Sequence, residues 1–411
     1  MVSKALVVGM YQRKLEEMAA LPDVELTVAV PPYWREKTGH DLKLERSFTK
    51  GYALTVLPMR FNGHYHVHYY PGLGGLLDSV RPDILHFDEE AYNLSTWLAM
   101  HAAKRRGVRF AFFNWQNIPR RYPPPFRWLE RDVFRHADLA IVGNEDAGTI
   151  IRDKGYEGLL EIIPQFGIDP ELFAPKPDTA LPRAFASAGA LPVRCSVPMA
   201  DSTTSREGPP TSTEPAPLAA SLDELPGHEA PFTIGFVGRL IQAKGLGVLM
   251  EAAAGLEAPW QLRVIGSGPE RESLEQLAHA LGIETRVEFV GQIGSTSMPA
   301  IMQSIDVLVG PSLTTSRWKE QFGRMLIEAM ASEVPVIGSD SGEIPHVIGD
   351  AGLVVPEGSM EALRTALQRL QANSALRCDL GRAGRQRVLE HFTQQAVAVR
   401  TVDAYRRVLA S

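Results

Sequence analysis

The sequence predicts an α/β protein built from two parallel-sheet units that follow one another along the 411-residue chain. In both halves, short apolar runs alternate with amphipathic stretches that are long enough to be helices. Buried strands that alternate with helices form parallel sheets covered on both faces. The alternation stops at a proline-rich segment and restarts at Phe232. Each unit is therefore expected to bind ligands at the carboxyl ends of its strands.

The strands and helices are predicted from the length and apolar periodicity of each run. In the first half, the predicted strands are 5–9, 26–30, 83–87, 109–113 and 139–143, and the helices are 94–106 and 125–136. In the second half, the strands are 233–237, 261–265, 286–290, 307–309 and 334–338. The helices there are 247–255, 270–281, 322–332 and 359–372, followed by a last helix at 393–409.

A change of composition separates the two units. The stretch from Pro175 to Gly227 contains ten prolines, a Ser/Thr-rich run and few large aliphatic residues. Such a composition buries too little apolar surface to offset the entropy lost on ordering, which predicts a flexible linker or insertion at 176–230. An ordered proline-rich loop is the alternative. The predicted domains are 1–175 and 231–391, with a separate terminal helix at 392–411.

Bulk properties exclude several classes of protein. A net charge of -6 gives no general attraction to nucleic acid. The only cysteines, Cys195 and Cys378, are too far apart in sequence for a disulfide framework or a metal motif, which indicates a reducing, cytoplasmic compartment. No stretch approaches 18 apolar residues, and the first apolar run is too short for a signal peptide.

Two cations mark the first strand-to-helix loop of the second half. The strand ends at Gly238, Arg239 follows at once, and Lys244 precedes the next helix together with Gly245. An arginine can bind a diphosphate through two hydrogen bonds, and a lysine adds a point charge. Two unrelated surface cations beside a helix start are the alternative interpretation.

Two acids form the second motif, in which Glu320 lies in a loop and Glu328 follows after seven intervening residues on the helix that this loop opens. A helix start near Phe322 and Gly323 would present free amides to an anion. Glu328 lies in an apolar stripe and needs a polar partner, for which a pair of ribose hydroxyls is suitable. A partly exposed glutamate is the alternative.

Glycines follow another strand of this half, at Gly266 and Gly268. They permit either close backbone approach to a ligand or only a turn, and the turn is the stronger interpretation. The loop 339–345 follows the strand 334–338 and is interpreted as a wall of the same pocket or as a simple turn.

Together these motifs resemble the retaining glycosyltransferases of family 4, which have the GT-B fold of two Rossmann-like domains facing each other across a cleft. The resemblance covers most of 232–409. The family's phosphate motif matches Gly238, Arg239, Lys244 and Gly245, and its Glu-x7-Glu motif matches Glu320 and Glu328. The resemblance also implies that the last helix crosses back to the first domain.

The resemblance implies a role for each matched residue. Arg239 and Lys244 would hold the diphosphate of a nucleotide-sugar donor, Glu320 would contact the transferred sugar, and Glu328 would bind the ribose. Gly238, Gly266, Gly268, Phe322 and Gly323 would complete the donor site. The family usually needs no metal, and the sequence contains no Asp-x-Asp motif, so no cofactor or metal site is predicted.

The first half departs from the family pattern, so its acceptor contacts are predicted from strand ends. His86 ends one predicted strand, and Trp115, Gln116 and Asn117 follow another. These four residues are the acceptor-side candidates. The alternative for His86 is a structural histidine whose hydrogen bonds are satisfied at the end of its strand and which has no catalytic role.

A basic, aromatic segment lies between residues 104 and 135. Nine Lys/Arg residues against two acids give it a charge of +7, and Arg127, Arg131 and Arg135 recur on one helix face. A basic aromatic helix can lie on an anionic membrane, which suggests a peripheral contact at the inner face of the membrane with a lipid-linked acceptor. A solvated face over an ordinary core helix is the alternative.

The predicted function is transfer of a sugar, with retention, from a nucleoside-diphosphate sugar to a saccharide, lipid-linked or other glycoconjugate acceptor. A sugar-nucleotide epimerase of the same fold is one alternative, and it would require histidine and carboxylate groups converging on the sugar. A non-catalytic nucleotide-sugar-binding subunit is the other, and it would be expected to have lost the cations or the acidic pair.

Overall fold

Two parallel β-sheets, one from each half of the chain, organise the fold in a computed structural model that describes residues 1–36, 40–176, 231–294 and 297–411. The two ranges Met1–Pro175 and Pro231–Ser411 form one compact unit. The predicted linker at 176–230 lies outside the described residues except for Lys176, and Cys195 lies outside them as well.

The first sheet contains parallel strands whose order differs from their order in the chain. β4 pairs with β1, and β5, β6, β7 and β8 pair in succession. Val2 joins the two sets, because it forms parallel bridges to Ala29 of β1 and Phe87 of β5. The strands of this half are β1 (Thr27–Val30), β2 (Tyr33–Arg35), β3 (Asp41–Lys43), β4 (Ala53–Val56), β5 (Ile84–Phe87), β6 (Arg109–Asn114), β7 (Leu139–Val142) and β8 (Leu159–Ile162).

The predicted strand at 5–9 is wrong. The chain forms short 3₁₀ turns at Ala5–Val7 and Gly9–Gln12, and the buried Gln12 holds them by donating to the carbonyl of Leu6 at 2.9 Å. Leu6 and Val7 are buried, as they would be in a strand. The periodicity of such a short apolar run does not distinguish a strand from a turn.

Helices cover the first sheet and share its apolar core. Phe87, Phe110 and Phe112 from the strands are fully buried against Met100 and Val133 from the helices. The helices of this half are α1 (Arg13–Ala19), α2 (Leu73–Val80), α3 (Leu94–Lys104), α4 (Phe126–His136) and α5 (Glu145–Asp153).

The second sheet is entirely parallel, with the order β11-β10-β9-β12-β13-β14. Its strands are β9 (Phe232–Val237), β10 (Trp260–Ile265), β11 (Val287–Gly291), β12 (Val307–Gly310), β13 (Val336–Ser339) and β14 (Leu353–Val355). Its helices are α6 (Leu246–Ala254), α7 (Arg271–Ala280), α8 (Met298–Met302), α9 (Arg324–Ala331), α10 (Ile344–Ile348), α11 (Met360–Ala372) and α12 (Ser374–His391). The strand order reverses between β9 and β12, and ligands of open parallel sheets bind at such a point.

The last helix, α13 (Gln394–Ala410), crosses back onto the first half as the resemblance implied. Thr393 caps its start by accepting from the amide of Ala396 at 3.0 Å. On the helix, Val402 packs with Leu15 of α1, and Val408 packs beside the strand residue Phe113. Because this helix belongs to the core of the first half, it ties both halves of the chain together.

No helix in the described part of the chain is both long and apolar enough to cross a bilayer.

Candidate functional site

The loop that leaves β9 carries the two predicted cations to the point where the strand order reverses. A 3₁₀ turn at Gln242–Lys244 ends at Gly245, whose φ of 70° is in the left-handed region. A Cβ at Gly245 would lie 1.8 Å from the carbonyl oxygen of Pro311, which directly follows β12. The glycine therefore lets this loop pack directly on the end of β12, where the loop leading to Glu320 begins.

Lys244 and Glu320 form an ion pair at this place. The Nζ of Lys244 lies 2.6 Å from Oε2 of Glu320, and Ser312 donates to the same oxygen at 3.0 Å. Glu320 is buried, and the Lys244 ammonium lies 5.0 Å from the ring centroid of Trp318. A buried carboxylate requires such partners, and the pair places a cation and an acid side by side where the strand order of the second sheet reverses.

Arg239 lies at the start of the same loop and is exposed. Its guanidinium forms no hydrogen bond or ion pair with any residue in the part of the chain that the structure describes. Its guanidinium is therefore available to an external anion, whereas Lys244 must share its charge with Glu320.

Gly238, Gly266 and Gly268 bring two loops into backbone contact. Gly266 has a φ of 143°, and a Cβ there would lie 1.8 Å from the carbonyl oxygen of Gly238. A Cβ at Gly268 would lie 2.3 Å from the carbonyl oxygen of Leu240. These contacts give Gly266 and Gly268 a packing role, because they allow the loop after β10 to support the loop that carries Arg239.

Glu328 and the start of its helix are arranged around an internal ion pair. The helix begins at Arg324, two residues later than predicted, after Gly323 in a left-handed conformation with φ 75°. Arg324 donates from Nε to Oε1 of Glu328 at 2.9 Å. Burial raises the pKa of Glu328 despite this partner. Phe322, which precedes the helix, packs its ring 5.8 Å from that of Phe392.

The loop that carries Glu320 also touches the first half of the chain. Asn117 donates from Nδ2 to the carbonyl oxygens of Lys319 at 3.1 Å and Glu320 at 3.3 Å. Gln321 donates to the carbonyl of Trp115 at 3.0 Å. Two of the predicted acceptor-side residues therefore lie against the donor-side loop.

Further contacts hold the same two segments together. Asn144 donates to the carbonyl of Gln321 at 3.0 Å, and Lys319 lies 2.7 Å from Oδ2 of Asp146. The side-chain oxygen of Gln116 accepts from Lys154 at 2.9 Å, so this contact lies within the first half of the chain.

The structure does not bring His86 to these residues. Its ring lies beneath the last helix, where Nδ1 is 2.5 Å from the hydroxyl of Tyr405. Burial lowers the pKa of His86 well below its ordinary value, so the ring is neutral. A strand presents alternate side chains to opposite faces, and His86 lies on the face of β5 that α13 covers. The expectation that it belongs with the acceptor-side residues does not fit this position.

Glu90 is a candidate that the sequence interpretation missed. Its Oε1 accepts from the backbone amide of Trp115 at 2.9 Å, and its Oε2 is buried without a partner among the described residues. Burial raises the pKa of Glu90 to about 7. The signal was the run Asp88-Glu89-Glu90 directly after a buried strand, which places acids at the carboxyl end of a sheet.

The basic segment 104–135 divides into two kinds of cation. Lys104 and Arg109 both bind Asp138, and Arg106 binds Asp78, so these three are neutralised locally. On α4, Arg131 and Arg135 are exposed, and Trp128 is 60% exposed. The remaining exposed cations of the segment are Arg105, Arg120 and Arg121.

In residues 1–36, 40–176, 231–294 and 297–411, no group of three or more His, Cys, Asp or Glu side chains is arranged to hold a metal ion.

Two parallel-sheet domains, with a cation–acid pair where the strand order of the second sheet reverses, define the protein as a doubly wound α/β protein. Comparison with known families identifies the family. The family model for Glycosyl transferases group 1 matches residues 222–387, and that for the Glycosyl transferase 4-like domain matches residues 9–165. The chain belongs to the group 1 glycosyltransferase family, whose members have the GT-B fold.

Similar curated proteins include the lipopolysaccharide core biosynthesis glycosyltransferase LpsE of Rhizobium meliloti (strain 1021). The two are 32% identical over 186 residues, which are 44% of this chain and 51% of the relative. The phosphatidyl-myo-inositol mannosyltransferase of Mycobacterium leprae is 33% identical over 185 residues, which are 44% of this chain and 47% of the relative. The chain thus spans about half the length of the curated relatives it matches.

Similar solved structures show the fold. The sucrose-phosphate synthase from Thermosynechococcus elongatus gives a TM-score of 0.64 at 21% identity, covering 97% of this chain and 93% of that one. Anabaena HepE in complex with UDP gives 0.65 at 14% identity, covering 97% and 96%. The predicted GT-B architecture is confirmed.

Proposed function

We propose that this protein is a retaining glycosyltransferase that moves a sugar from a nucleoside-diphosphate sugar to a saccharide or lipid-linked acceptor. The observation that carries the proposal is the 2.6 Å ion pair between Lys244 and the buried Glu320, at the point where the strand order of the second sheet reverses. Arg239 is exposed on the same loop and lacks a protein partner within the described segments. Two cations beside one acid suit a diphosphate joined to a sugar.

Each donor contact follows from the chemistry of its group. Arg239 and Lys244 would bind the diphosphate. The ion pair between Lys244 and Glu320 would then weaken as the ammonium binds a phosphate oxygen. Glu320 would then be free to accept a hydrogen bond from a sugar hydroxyl. Glu328 would bind the ribose hydroxyls. Burial raises the pKa of its carboxyl, and the 2.9 Å hydrogen bond from Arg324 acts against this by favouring the ionised form.

The reaction requires charge stabilisation on the leaving group. The bond between the anomeric carbon and the phosphate oxygen breaks, and the electron pair stays on the nucleoside diphosphate. Fixed cations stabilise this charge most strongly in the transition state, where it develops. The acceptor hydroxyl forms the new bond on the same face and gives its proton to the departing phosphate oxygen, which preserves the anomeric configuration. No metal is required in this scheme.

Similar proteins support the donor and acceptor classes. Solved structures of HepE contain UDP and UDP-glucose, and named relatives act in lipopolysaccharide core synthesis and on phosphatidyl-myo-inositol. For this chain we propose an acceptor that is a saccharide, either free or linked to lipid.

The exposed cations and Trp128 of α4 support a peripheral contact with an anionic membrane that would present such a lipid-linked acceptor. Flotation with anionic liposomes at low salt tests this contact. The wild type should float, a Trp128→Ser/Arg131→Glu double variant should not, and Arg382→Glu on α12 should behave as wild type. Absence of wild-type binding at low salt removes the membrane proposal while leaving the transferase proposal intact.

A thermal-shift panel of UDP, GDP, ADP and their sugars tests the transferase proposal. One nucleotide family should raise the melting temperature, and Arg239→Ala should abolish the rise while preserving the melting temperature of the free protein. The matched control is Arg263→Ala, because Arg263 is a cation on β10 that pairs with Glu288 away from the donor loop. If no nucleotide stabilises the wild type, the donor site is wrong.

Product analysis separates the alternatives. Conversion of the stabilising sugar nucleotide into its epimer without an acceptor would identify an epimerase. Binding without turnover across a broad acceptor panel would identify a non-catalytic subunit.

A further inference from the structure

A pocket opens beside the donor loop, at the carboxyl ends of β5 and β6. Its volume is about 240 Å³, and it is enclosed by the first-half segment that follows these strands and by the 317–321 segment of the second half. The pocket therefore includes groups from both halves of the chain, at the edge of the first sheet where ligands of open parallel sheets bind.

One of the polar groups that line this pocket is the carboxyl of Glu90. Oε1 is fixed by the Trp115 amide at 2.9 Å, which leaves Oε2 with no partner among the described residues. A buried polar atom without a hydrogen bond costs folding free energy, and burial also raises the pKa of this carboxyl to about 7. A site that keeps such an atom unsatisfied is suited to a ligand that supplies the missing bond.

The lining of the pocket combines four aromatic side chains with polar and charged ones, among them Arg120, Arg317 and Lys319. Tyr92 and Tyr122 lie with ring centroids 4.1 Å apart, and Trp115 and Trp318 line the same space. Aromatic side chains provide large apolar faces, and they combine with a few fixed polar groups in small-molecule sites. Sugar rings have this mixed character, because their C–H groups form apolar faces and their hydroxyls require hydrogen bonds.

Trp318 connects the pocket to the donor site. Its ring centroid lies 5.0 Å from Nζ of Lys244, which is 2.6 Å from Glu320. A ligand in the pocket would therefore lie next to the sugar that Glu320 is proposed to contact. This adjacency is what an acceptor requires, since its hydroxyl must reach the anomeric carbon.

We infer that this pocket is the acceptor subsite, that it takes a saccharide ring, and that Oε2 of Glu90 hydrogen-bonds one of its hydroxyls. The inference rests on the proposed transferase function and deepens it. It makes Glu90 a specificity-determining residue, since an acceptor that lacks the hydroxyl leaves Oε2 unpaired and binds less well.

Saturation-transfer NMR of the full-length protein tests this inference with four disaccharides: maltose, mannobiose, lactose and N,N′-diacetylchitobiose. Each is titrated with and without UDP or GDP. At least one should bind the wild type, and Glu90→Leu should weaken that binding tenfold or more. Glu90→Gln should give an intermediate loss, because its amide keeps one hydrogen bond. The matched control is Asp138→Asn, which removes a carboxylate at the opposite end of the first sheet.

The outcomes separate the two proposals. If nucleotides stabilise the protein but no disaccharide binds, or if disaccharides bind the Glu90 variants as tightly as the wild type, the acceptor subsite is wrong and the donor proposal stands. If no nucleotide binds, the transferase proposal itself fails. Glu90→Gln retains the shape of the native side chain, so it provides a folded variant even if Glu90→Leu misfolds.

Discussion

Replacing Glu90 with glutamine should stabilise the protein at alkaline pH relative to wild type. In the folded chain, the Glu90 carboxyl faces the Trp115 amide and the charges of Lys4, Glu89 and Lys154. Burial outweighs the favourable partners and raises the pKa to about 7, from 4.5 in the unfolded chain. The protonated carboxyl is therefore the form that the folded protein prefers.

The sign and size of the effect follow from linkage. Because the folded pKa is above the unfolded one, the stabilising contribution of protonated Glu90 is complete below pH 4.5 and is lost as the pH rises through about 7. The difference between these pKa values corresponds to about 3 kcal/mol in the free energy of unfolding, and most of this contribution is lost between pH 5 and 8. The glutamine variant has no such loss.

Thermal unfolding at pH 5, 6, 7 and 8 and constant ionic strength measures this effect. The melting temperature of Glu90→Gln minus that of wild type should grow with pH, by roughly 3 °C across the range. Asp138→Asn is the control. Burial alone would raise the pKa of Asp138, but hydrogen bonds from Lys104 and the Phe110 amide lower it. The difference in melting temperature between Asp138→Asn and wild type should therefore stay constant over this range. Parallel wild-type and Glu90→Gln profiles would refute the assignment of a buried, unpaired carboxyl.

Further predictions concern the donor loops. Lys244→Met should reduce turnover by about 30-fold to 1,000-fold while the protein stays folded, because it removes a cation that stabilises the negative charge developing on the leaving diphosphate. Steady-state kinetics tests this, and near-normal turnover would contradict the site. Asn117→Ala should lower kcat about tenfold by releasing the backbone of Glu320, with little change in donor KM, whereas a change in donor KM alone would argue against positioning. Gly266→Ala should lower the melting temperature by several degrees, because its Cβ would lie 1.8 Å from the carbonyl oxygen of Gly238; an unchanged melting curve would show that the loops are free to separate.

Much of the second half could be predicted because its signals are local. The strand predicted at 233–237 is Phe232–Val237, and the last helix predicted at 393–409 is Gln394–Ala410. Apolar runs bounded by glycines and capping residues fix such elements to within a residue or two. The run at 5–9 failed because a short apolar segment is buried equally well in a turn or a strand.

The features that the sequence could not show depend on tertiary neighbours. His86 ends a strand and is predicted as an acceptor-side candidate, but its ring lies on the face of β5 that α13 covers. Glu90 stood in a visible acidic run, yet its burial depends on Trp115, 25 residues away. The pairing of Lys244 with Glu320 likewise depends on β9 lying beside β12, which are not consecutive strands.

The loop that carries Glu320 is held from both halves of the chain, which links the predicted acceptor side to the proposed donor site. Within the second half, Lys244 and Ser312 hold the carboxylate, and the amide of Glu343 donates to the carbonyl oxygen of Glu320 at 3.2 Å. From the first half, Asn117 donates to that same carbonyl oxygen at 3.3 Å. If the two halves separate, the Asn117 bond is lost first, because it alone of these four contacts crosses the cleft. The backbone position of Glu320 therefore depends in part on the two halves being closed. We infer that the predicted acceptor-side segment helps to assemble the proposed donor site.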